Sequence, residues 1–290
     1  MADIIDGKAF AAKIRAEVKE DSDKLISQKQ VDPCLAVVLV GENPASKVYV
    51  GQKTKMAAEC NIKTKDFKLE ASTDQETLLK LIDELNNDSS VHGILVQLPL
   101  PKQIDERKVI DAIVVEKDVD GFHAINAGRL SIGGDMLKKA FIPCTPLGSL
   151  LLLKDHVEDL KGKSAVVIGR SNIVGKPMSQ LLIEESCTVT VVHSKTKEIE
   201  KVCSQADIIV AAIGRAEMID SKWLKDGAVV IDVGINRITI TKEDGSEGSK
   251  IVGDVDFESA STKASKITPV PGGVGPMTIA CLLRNTVTSA

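Results

Sequence analysis

Aromatic side chains are nearly missing from this sequence of 290 residues: five phenylalanines, one tyrosine and one tryptophan make up 2% of it. That scarcity argues against a ring-rich binding surface. The cores must be built from Val, Ile, Leu and Ala, which suits parallel strands buried on both faces and close helix packing. A strong charge of either sign is also lacking. The formal net charge is -4, which speaks against nucleic acid or an anionic membrane as the main partner, although local basic spots can still hold a phosphate. The six cysteines (Cys34, Cys60, Cys144, Cys187, Cys203 and Cys281) form no CxxC pair and stand at no zinc-finger spacing from a histidine, so they read as reduced, buried thiols. No apolar run approaches the ~20 residues that span a bilayer. The start, Met-Ala-Asp-Ile-Ile-Asp, has no basic region leading into an apolar run, so no signal peptide is expected and the cytoplasm is the expected compartment.

What is present is the composition of a globular protein, 43% hydrophobic and 27% charged, at a length that suits two domains. Residues 7–29 carry Phe10, Ile14, Val18 and Leu25 at helical spacing among charged residues, which predicts an amphipathic helix. Cys34–Val40 is a continuous apolar run and predicts a strand buried on both faces. Asn43-Pro44 suits a helix start, with the helix running to about Cys60. A strand near Thr64–Leu69, a helix over 75–86 and a strand at His92–Leu98 follow. This alternation implies parallel pairing through right-handed crossovers. Residues 105–142 read as a loop-rich connector. A helix is expected from Leu147. A new α/β unit then begins, with strands at Ser164–Ile168, Thr188–His193, Asp207–Ala212 and Ala228–Val233, and a helix at Lys176–Glu185. Residues 239–249 read as an exposed hairpin or loop, and an apolar helix closes the chain.

Chemistry concentrates in a few places. Ser46, Tyr49 and Lys53 stand at i, i+3 and i+7, one face of a helix. A lysine beside a tyrosine in a desolvated cleft can serve as acid or base; on many amphipathic helices it is simply solvated. Gln97 ends a buried-looking strand, where ligands bind in open α/β sheets. Asp118 and Asp120 precede Gly121, and either could accept from a nitrogen heterocycle or merely cap a turn. The turn Gly169-Arg-Ser-Asn-Ile-Val-Gly175 is not GxGxxG, yet its glycines and following helix start suit an anionic group. The next strand ends His193-Ser-Lys-Thr-Lys197, with no carboxylate to accept from a ribose hydroxyl. Ser194, Lys195 and Arg170 there suit a 2′-phosphate and hence NADP, unless this is an ordinary solvated basic turn. Pro271-Gly-Gly-Val-Gly-Pro276 allows close backbone approach to a flat ligand, or is a stiff interdomain turn.

These stretches, taken together with Gly41-Glu-Asn-Pro-Ala-Ser-Lys-Val-Tyr-Val-Gly-Gln-Lys53, Gly93–Leu100, Glu116–Gly121, Pro143-Cys-Thr-Pro146 and Thr268–Thr278, resemble the bifunctional methylenetetrahydrofolate dehydrogenase / methenyltetrahydrofolate cyclohydrolase family over essentially the whole length. The resemblance implies two three-layer α/β domains, the second a Rossmann-like doubly wound parallel sheet, with an active-site cleft between them. Residues 1–144, completed by a C-terminal helix at 276–290, would form the folate-binding catalytic domain, and 145–275 the NADP-binding domain. It implies oxidation of 5,10-methylenetetrahydrofolate by NADP, then hydrolysis to 10-formyltetrahydrofolate, with no metal. Lys53 would be the acid/base, Tyr49 would position it against the folate, Gln97 would tune it and Asp120 would hold the pterin. Ser46, Leu98, Pro271, Gly272 and Thr278 would complete the substrate site. Thr145, Gly169, Arg170, Ser171, Ser194, Ile235, Gly275 and Thr278 would contact the cofactor. The implied partners are tetrahydrofolate one-carbon derivatives and a second copy of the chain, as a homodimer. A monofunctional dehydrogenase of the same fold and a non-catalytic NADP-binding regulator are the alternatives.

Overall fold

The computed structural model describes residues 2–241 and 246–290, apart from the side chains of Pro44 and Ala45. The chain divides into two compact units, one of Ala12–Cys144 with Ile279–Ala290 and the other of Met1–Ala11 with Thr145–Thr278. Each of the three passages between them falls inside a helix: Gly7–Lys24, Cys144–His156 and Val274–Ser289. One of these passages lies at 144/145, and residues 2–11 group with Thr145–Thr278. The reason is a strand too short to show in any periodicity. β1 (Asp3–Ile4) is two residues long and is recruited by a distant partner.

In the unit built on Ala12–Cys144, β2 (Cys34–Val40), β3 (Lys63–Leu69) and β4 (Gly93–Val96) form a parallel sheet of order β3-β2-β4. β2 is central and buried at every position, as its unbroken apolar run requires. Helix Gln75–Asn87 starts at Asp74, whose carboxylate accepts from the Thr77 N–H, and buries Leu78, Ile82 and Leu85. These pack on Ala36, Val38, Ile94 and Val96 in one core. Helix Pro44–Glu59 follows β2 and begins at the carboxyl end of the sheet.

Residues 105–142 are more ordered than their sequence suggests. They carry helices Glu106–Ala112, Ala124–Ile132 and Gly134–Leu137 and a 3-10 turn at Val115–Lys117. Their apolar spacing is too short to register as periodic; side-chain caps start Glu106–Ala112 and Ala124–Ile132. Asp105 accepts from the N–H groups of Arg107 and Lys108, and His123 accepts from that of Ile125. Such caps satisfy the otherwise unpaired first-turn donors.

In the other unit, β5 (Ser164–Ile168), β6 (Thr188–Val192), β7 (Ile208–Ala211), β8 (Val229–Asp232) and β11 (Lys266–Ile267) join β1 in a sheet of order β1-β11-β8-β7-β5-β6. Every pairing among these described strands is parallel. The chain steps from β5 outward to β6 and then back past β5 to β7, so the direction of winding reverses beside β5. In open α/β sheets ligands bind outside the carboxyl ends of the strands at such a reversal. β9 (Asn236–Thr241) and β10 (Glu247–Val252) form an antiparallel pair, the hairpin expected at 239–249; residues 242–245 of that stretch lie outside the described residues. Helix Val274–Ser289 buries Met277, Ile279, Ala280, Cys281, Leu282 and Leu283 in succession, so it is apolar on nearly every side. All six cysteines are free and buried. Among the described residues no helix is long and apolar enough to cross a membrane.

Ile5 is fully buried and its N–H donates to the Ile267 carbonyl, so the start of the chain is structural in the sheet that carries β5–β8. Truncating such a side chain costs about 2–5 kcal/mol. In Ile5→Ala, hydrogen exchange should accelerate at 228–233 and 266–268 and stay unchanged in β2. Acceleration confined to β2–β4 would place the segment in the wrong unit.

Candidate active site

Lys53 lies on helix Pro44–Glu59, and only 3% of its surface is exposed. A lysine is rarely so buried without a partner. Its Nζ donates to Gln97 Oε1 at 3.1 Å and stands over the Tyr49 ring, 4.8 Å from the centroid. The tyrosine therefore meets the amine through its ring face, a cation–π contact. Gln97 is the first residue past β4. Its Nε2 donates to the Leu98 carbonyl at 2.8 Å, which fixes the amide so that its oxygen faces the amine. Ser46 is buried in the first turn of the same helix, and its N–H donates to Asn43 Oδ1, so it sets the helix start.

Burial pushes the Lys53 pKa down, with the negative charge of Asp120 and then the Cys144 thiol opposing. Burial likewise pushes Asp120 up to about 6; Lys53 pulls it back, Asp118 pushes it further and Cys144 lowers it. Desolvation thus drives amine and carboxyl alike toward their neutral forms. Cys144 itself is raised well above the ordinary thiol range, first by burial and then by Asp120, so it is an inert thiol here.

The two aspartates divide the roles that the sequence left open. Asp118 is the turn residue: it is buried, and it accepts from the N–H groups of Phe122 and His123 and from Asn126 Nδ2. Asp120 is the one that acts on Lys53. Gly121, at φ +75°, completes the turn; a Cβ there would stand 2.5 Å from the Phe141 carbonyl oxygen. Asn285 was invisible as a site residue in the sequence. Its Nδ2 donates to the carbonyls of Val119 (2.8 Å) and Ile142 (3.3 Å) and so ties the Asp120 turn to the Cys144 segment. Only its polarity within an apolar helix could have flagged it.

In the other unit, the turn after β5 is shaped by close approach. At Gly169 (φ +121°) a Cβ would lie 2.2 Å from the Ala212 carbonyl oxygen, and at Gly175 one would lie 2.3 Å from the Gly169 oxygen. Ser171 Oγ accepts from the N–H groups of Val174 and Gly175. It therefore braces the turn that leads into helix Gly175–Glu184. Among the described residues, the N–H groups of Ser171, Asn172 and Ile173 donate to no internal acceptor, which leaves them for an anion. Ile168 and Val192 are registered partners on β5 and β6, so Arg170 and Ser194, each two residues further on, end up on adjacent strand ends. Both are exposed. Thr145 and Thr278 are brought together through their hydroxyls at 3.0 Å. Ile235 is 59% exposed, and a Cβ on Gly275 would lie 3.8 Å from its Cδ1. Gly272 (φ +111°) accepts at its carbonyl from the Lys8 N–H, and Gly7 packs directly on Gly273; beside them Pro271 is exposed.

Behind these residues stands a pair of buried carboxylates that the sequence reading passed over, Asp232 and Asp254. Asp232 ends β8 and accepts from the N–H groups of Gly234, Asp254 and Val255 at 2.9–3.0 Å; its own N–H donates to Thr268 Oγ1 at 2.7 Å. Burial pushes it up to about 6 against those bonds, with the neighbouring Asp254 adding to the rise. Asp254 accepts from the N–H groups of Ile213, Gly214 and Arg215 and from Asn236 Nδ2. A carboxylate closing an apolar strand, Val-Ile-Asp232, and the pair in Gly-Asp-Val-Asp256 were the available signals.

Residues 5–120 match the catalytic domain of the tetrahydrofolate dehydrogenase/cyclohydrolase family, and residues 143–290 match its NAD(P)-binding domain. The chain is 59% identical over 286 residues to the bifunctional protein FolD of Paramagnetospirillum magneticum, covering 99% of this chain and 94% of that one. It is similar to the crystal structure of the bifunctional FolD methylenetetrahydrofolate dehydrogenase/cyclohydrolase of Campylobacter jejuni, with a TM-score of 0.93 at 52% identity over 100% of this chain and 98% of the other. The Trypanosoma brucei FolD structure, complexed with NADP cofactor and an inhibitor, gives a TM-score of 0.91 at 38% identity over 99% and 97% of the two chains. With both domain patterns matched and relatives this similar along the whole chain, the protein belongs to the tetrahydrofolate dehydrogenase/cyclohydrolase family.

Proposed function

We infer that this chain oxidises 5,10-methylenetetrahydrofolate with NADP and hydrolyses the 5,10-methenyl product to 10-formyltetrahydrofolate. One observation carries the hydrolytic half: a buried lysine amine, biased toward neutrality, held by the amide of Gln97. A neutral amine can take a proton from water, and a group whose pKa lies nearer the working pH does so with better effect. The methenyl carbon is already cationic. As water's oxygen bonds to it, Lys53 Nζ accepts the proton. The C–N5 bond then breaks, the lysine returns its proton to N5, and the hydroxyl proton leaves as the formyl carbonyl forms on N10. Gln97 fixes the amine without adding charge, and Asp120, ionised above about pH 6, would accept from the pterin.

The residues after β5 and β6 fit a dinucleotide phosphate. The Gly169–Gly175 turn admits no side chain where the backbone must pass, its N–H groups are unspent, and Arg170 with Ser194 supplies a cation and a hydroxyl where an NAD site places an acid. NADP, when bound, supplies the hydride acceptor. Thr145, Ile235, Gly275 and Thr278 would approach its nicotinamide end. The geometry at Lys53, Tyr49 and Gln97 favours the bifunctional reading over a dehydrogenase alone. Homodimerisation through the cofactor unit is supported by β6, whose outer edge is unpaired among the described strands and where Val191 is 39% exposed. A cytoplasmic location is supported by six free thiols.

Lys53→Gln should lower methenyltetrahydrofolate hydrolysis by at least about 100-fold, the usual worth of a general base, with unaltered circular dichroism; retained hydrolysis would remove Lys53 from the mechanism. Because Asp120 holds the Lys53 pKa up, Asp120→Asn should move the acidic limb of the hydrolysis pH profile to lower pH. A shift to higher pH would contradict the electrostatic assignment. Arg170→Ala combined with Ser194→Asp should cut the preference for NADP over NAD by about tenfold or more, as expected for loss of charge-assisted bonds. An unchanged ratio of kcat/KM values would mean that the 2′-phosphate sits elsewhere.

A further inference from the structure

The loops that follow β7 and β8 are not held by their own backbones. Ile213, Gly214 and Arg215 follow β7 after Ala212, and their three successive N–H groups all donate to the Asp254 carboxylate, at 2.6, 3.0 and 2.9 Å. Asn236 Nδ2 donates to the same carboxylate at 2.9 Å. The strand end that precedes the first loop is the one Gly169 touches, since a Cβ on Gly169 would meet the Ala212 oxygen. The second loop carries Ile235, flanked by Gly234, whose N–H donates to Asp232, and by Asn236. Asp254 and Asp232 are joined through the bond from the Asp254 N–H to Asp232 Oδ1. The fit leaves no slack: a Cβ on Gly234 would stand 2.3 Å from Asp254 Oδ1, and one on Gly253 would stand 1.8 Å from Asp232 Oδ2.

We propose that Asp254, braced by Asp232, is a positioning residue that sets the two loops bounding the dinucleotide site after β7 and β8, and thereby determines NADP affinity. The inference rests on the functional reading given above. The chemistry requires a carboxylate. All four groups aimed at Asp254 are donors, two on each oxygen, and an ionised carboxylate offers acceptor sites on both. An amide in its place must turn an NH2 toward either the Ile213–Gly214 pair or the Arg215–Asn236 pair. Two buried donors then lose their acceptor and face another donor, and the loop on that side is released. Neither aspartate touches the reacting atoms; each acts through backbone that it holds.

The test compares wild type, Asp254→Asn and Leu224→Ala, a core truncation in the same unit, by calorimetric titration with NADP and by dehydrogenase kinetics at saturating folate. Asp254→Asn should bind NADP at least tenfold more weakly and raise the KM for NADP to match, while hydrolysis of methenyltetrahydrofolate assayed without NADP keeps its KM. Leu224→Ala should lose a similar increment of Tm with no change in NADP affinity. If Asp254→Asn binds NADP as wild type does, or if the two variants lose affinity in proportion to their loss of Tm, the positioning role is overturned. Should Asp254→Asn fail to fold, Asn236→Ala removes one donor from the same carboxylate. Its NADP affinity should fall by two- to fivefold, and an unchanged affinity would likewise overturn the proposal. Failure of the wild-type chain to bind NADP at all would instead refute the functional reading on which the inference stands.

Discussion

Everything in the catalytic unit is arranged around the cost of burying one amine. An unpaired ammonium taken out of water is among the most expensive things a fold can hold, and the cost is met here by lowering the demand for charge. Gln97 offers a neutral acceptor at 3.1 Å and Tyr49 offers the negative face of a ring. Asp120 lies close enough to be felt, yet burial weakens its own ionisation. A full salt bridge would lock the lysine in its protonated form and leave no base. The arrangement keeps the amine oriented while leaving its protonation open, as the proposed proton transfers at Lys53 would require.

The supporting shell follows from that constraint. The turn that carries Asp120 has no regular ladder to rest on, so its shape is imposed by side chains: Asp118 gathers three donors, and Asn285 clamps two carbonyls from the far end of the sequence. The cofactor unit solves the same problem in the same way, with Asp232 and Asp254 fixing the loops after β7 and β8. In both units buried carboxylates hold the loops at the carboxyl ends of a parallel sheet, where ligands bind in open α/β folds.

How much of this was legible in the sequence depends on what each feature is made of. β2, β4, β5, β7 and β8 are continuous apolar runs, and each was found within a residue or two at either end. Lys53 and Tyr49 could be grouped because helical spacing places them by local rules, and Gln97 could be singled out by its strand end, but only the family resemblance implied that Gln97 meets Lys53. The helices in 105–142 escaped, since they are too short for a period and depend on caps at Asp105 and His123. β1 and β11 escaped because two residues carry no pattern; only their pairing with each other and with β8 makes them strands. Asp232, Asp254 and Asn285 escaped for a different reason. Their partners are backbone groups remote in sequence, and a lone polar residue says nothing about which N–H or carbonyl it will meet. The family resemblance implied site roles that spacing could not, but motif matching says nothing about which sheet a short segment such as β1 joins.

That terminal segment has a consequence for how the protein is made. β1 precedes every other described strand in the chain, whereas its only strand partner among the described residues, β11, lies at Lys266–Ile267. Between them the entire α/β lobe with β2–β4 is synthesised. Nascent domains generally collapse as units in order of emergence, but here β1 must wait, unpaired, until β11 has been made. The outer edge of the six-stranded sheet is therefore sealed late. Contacts of such long sequence separation slow folding because loop closure precedes their reward. The sheet whose first strand is made earliest is thus closed only after the sheet of β2–β4 is complete.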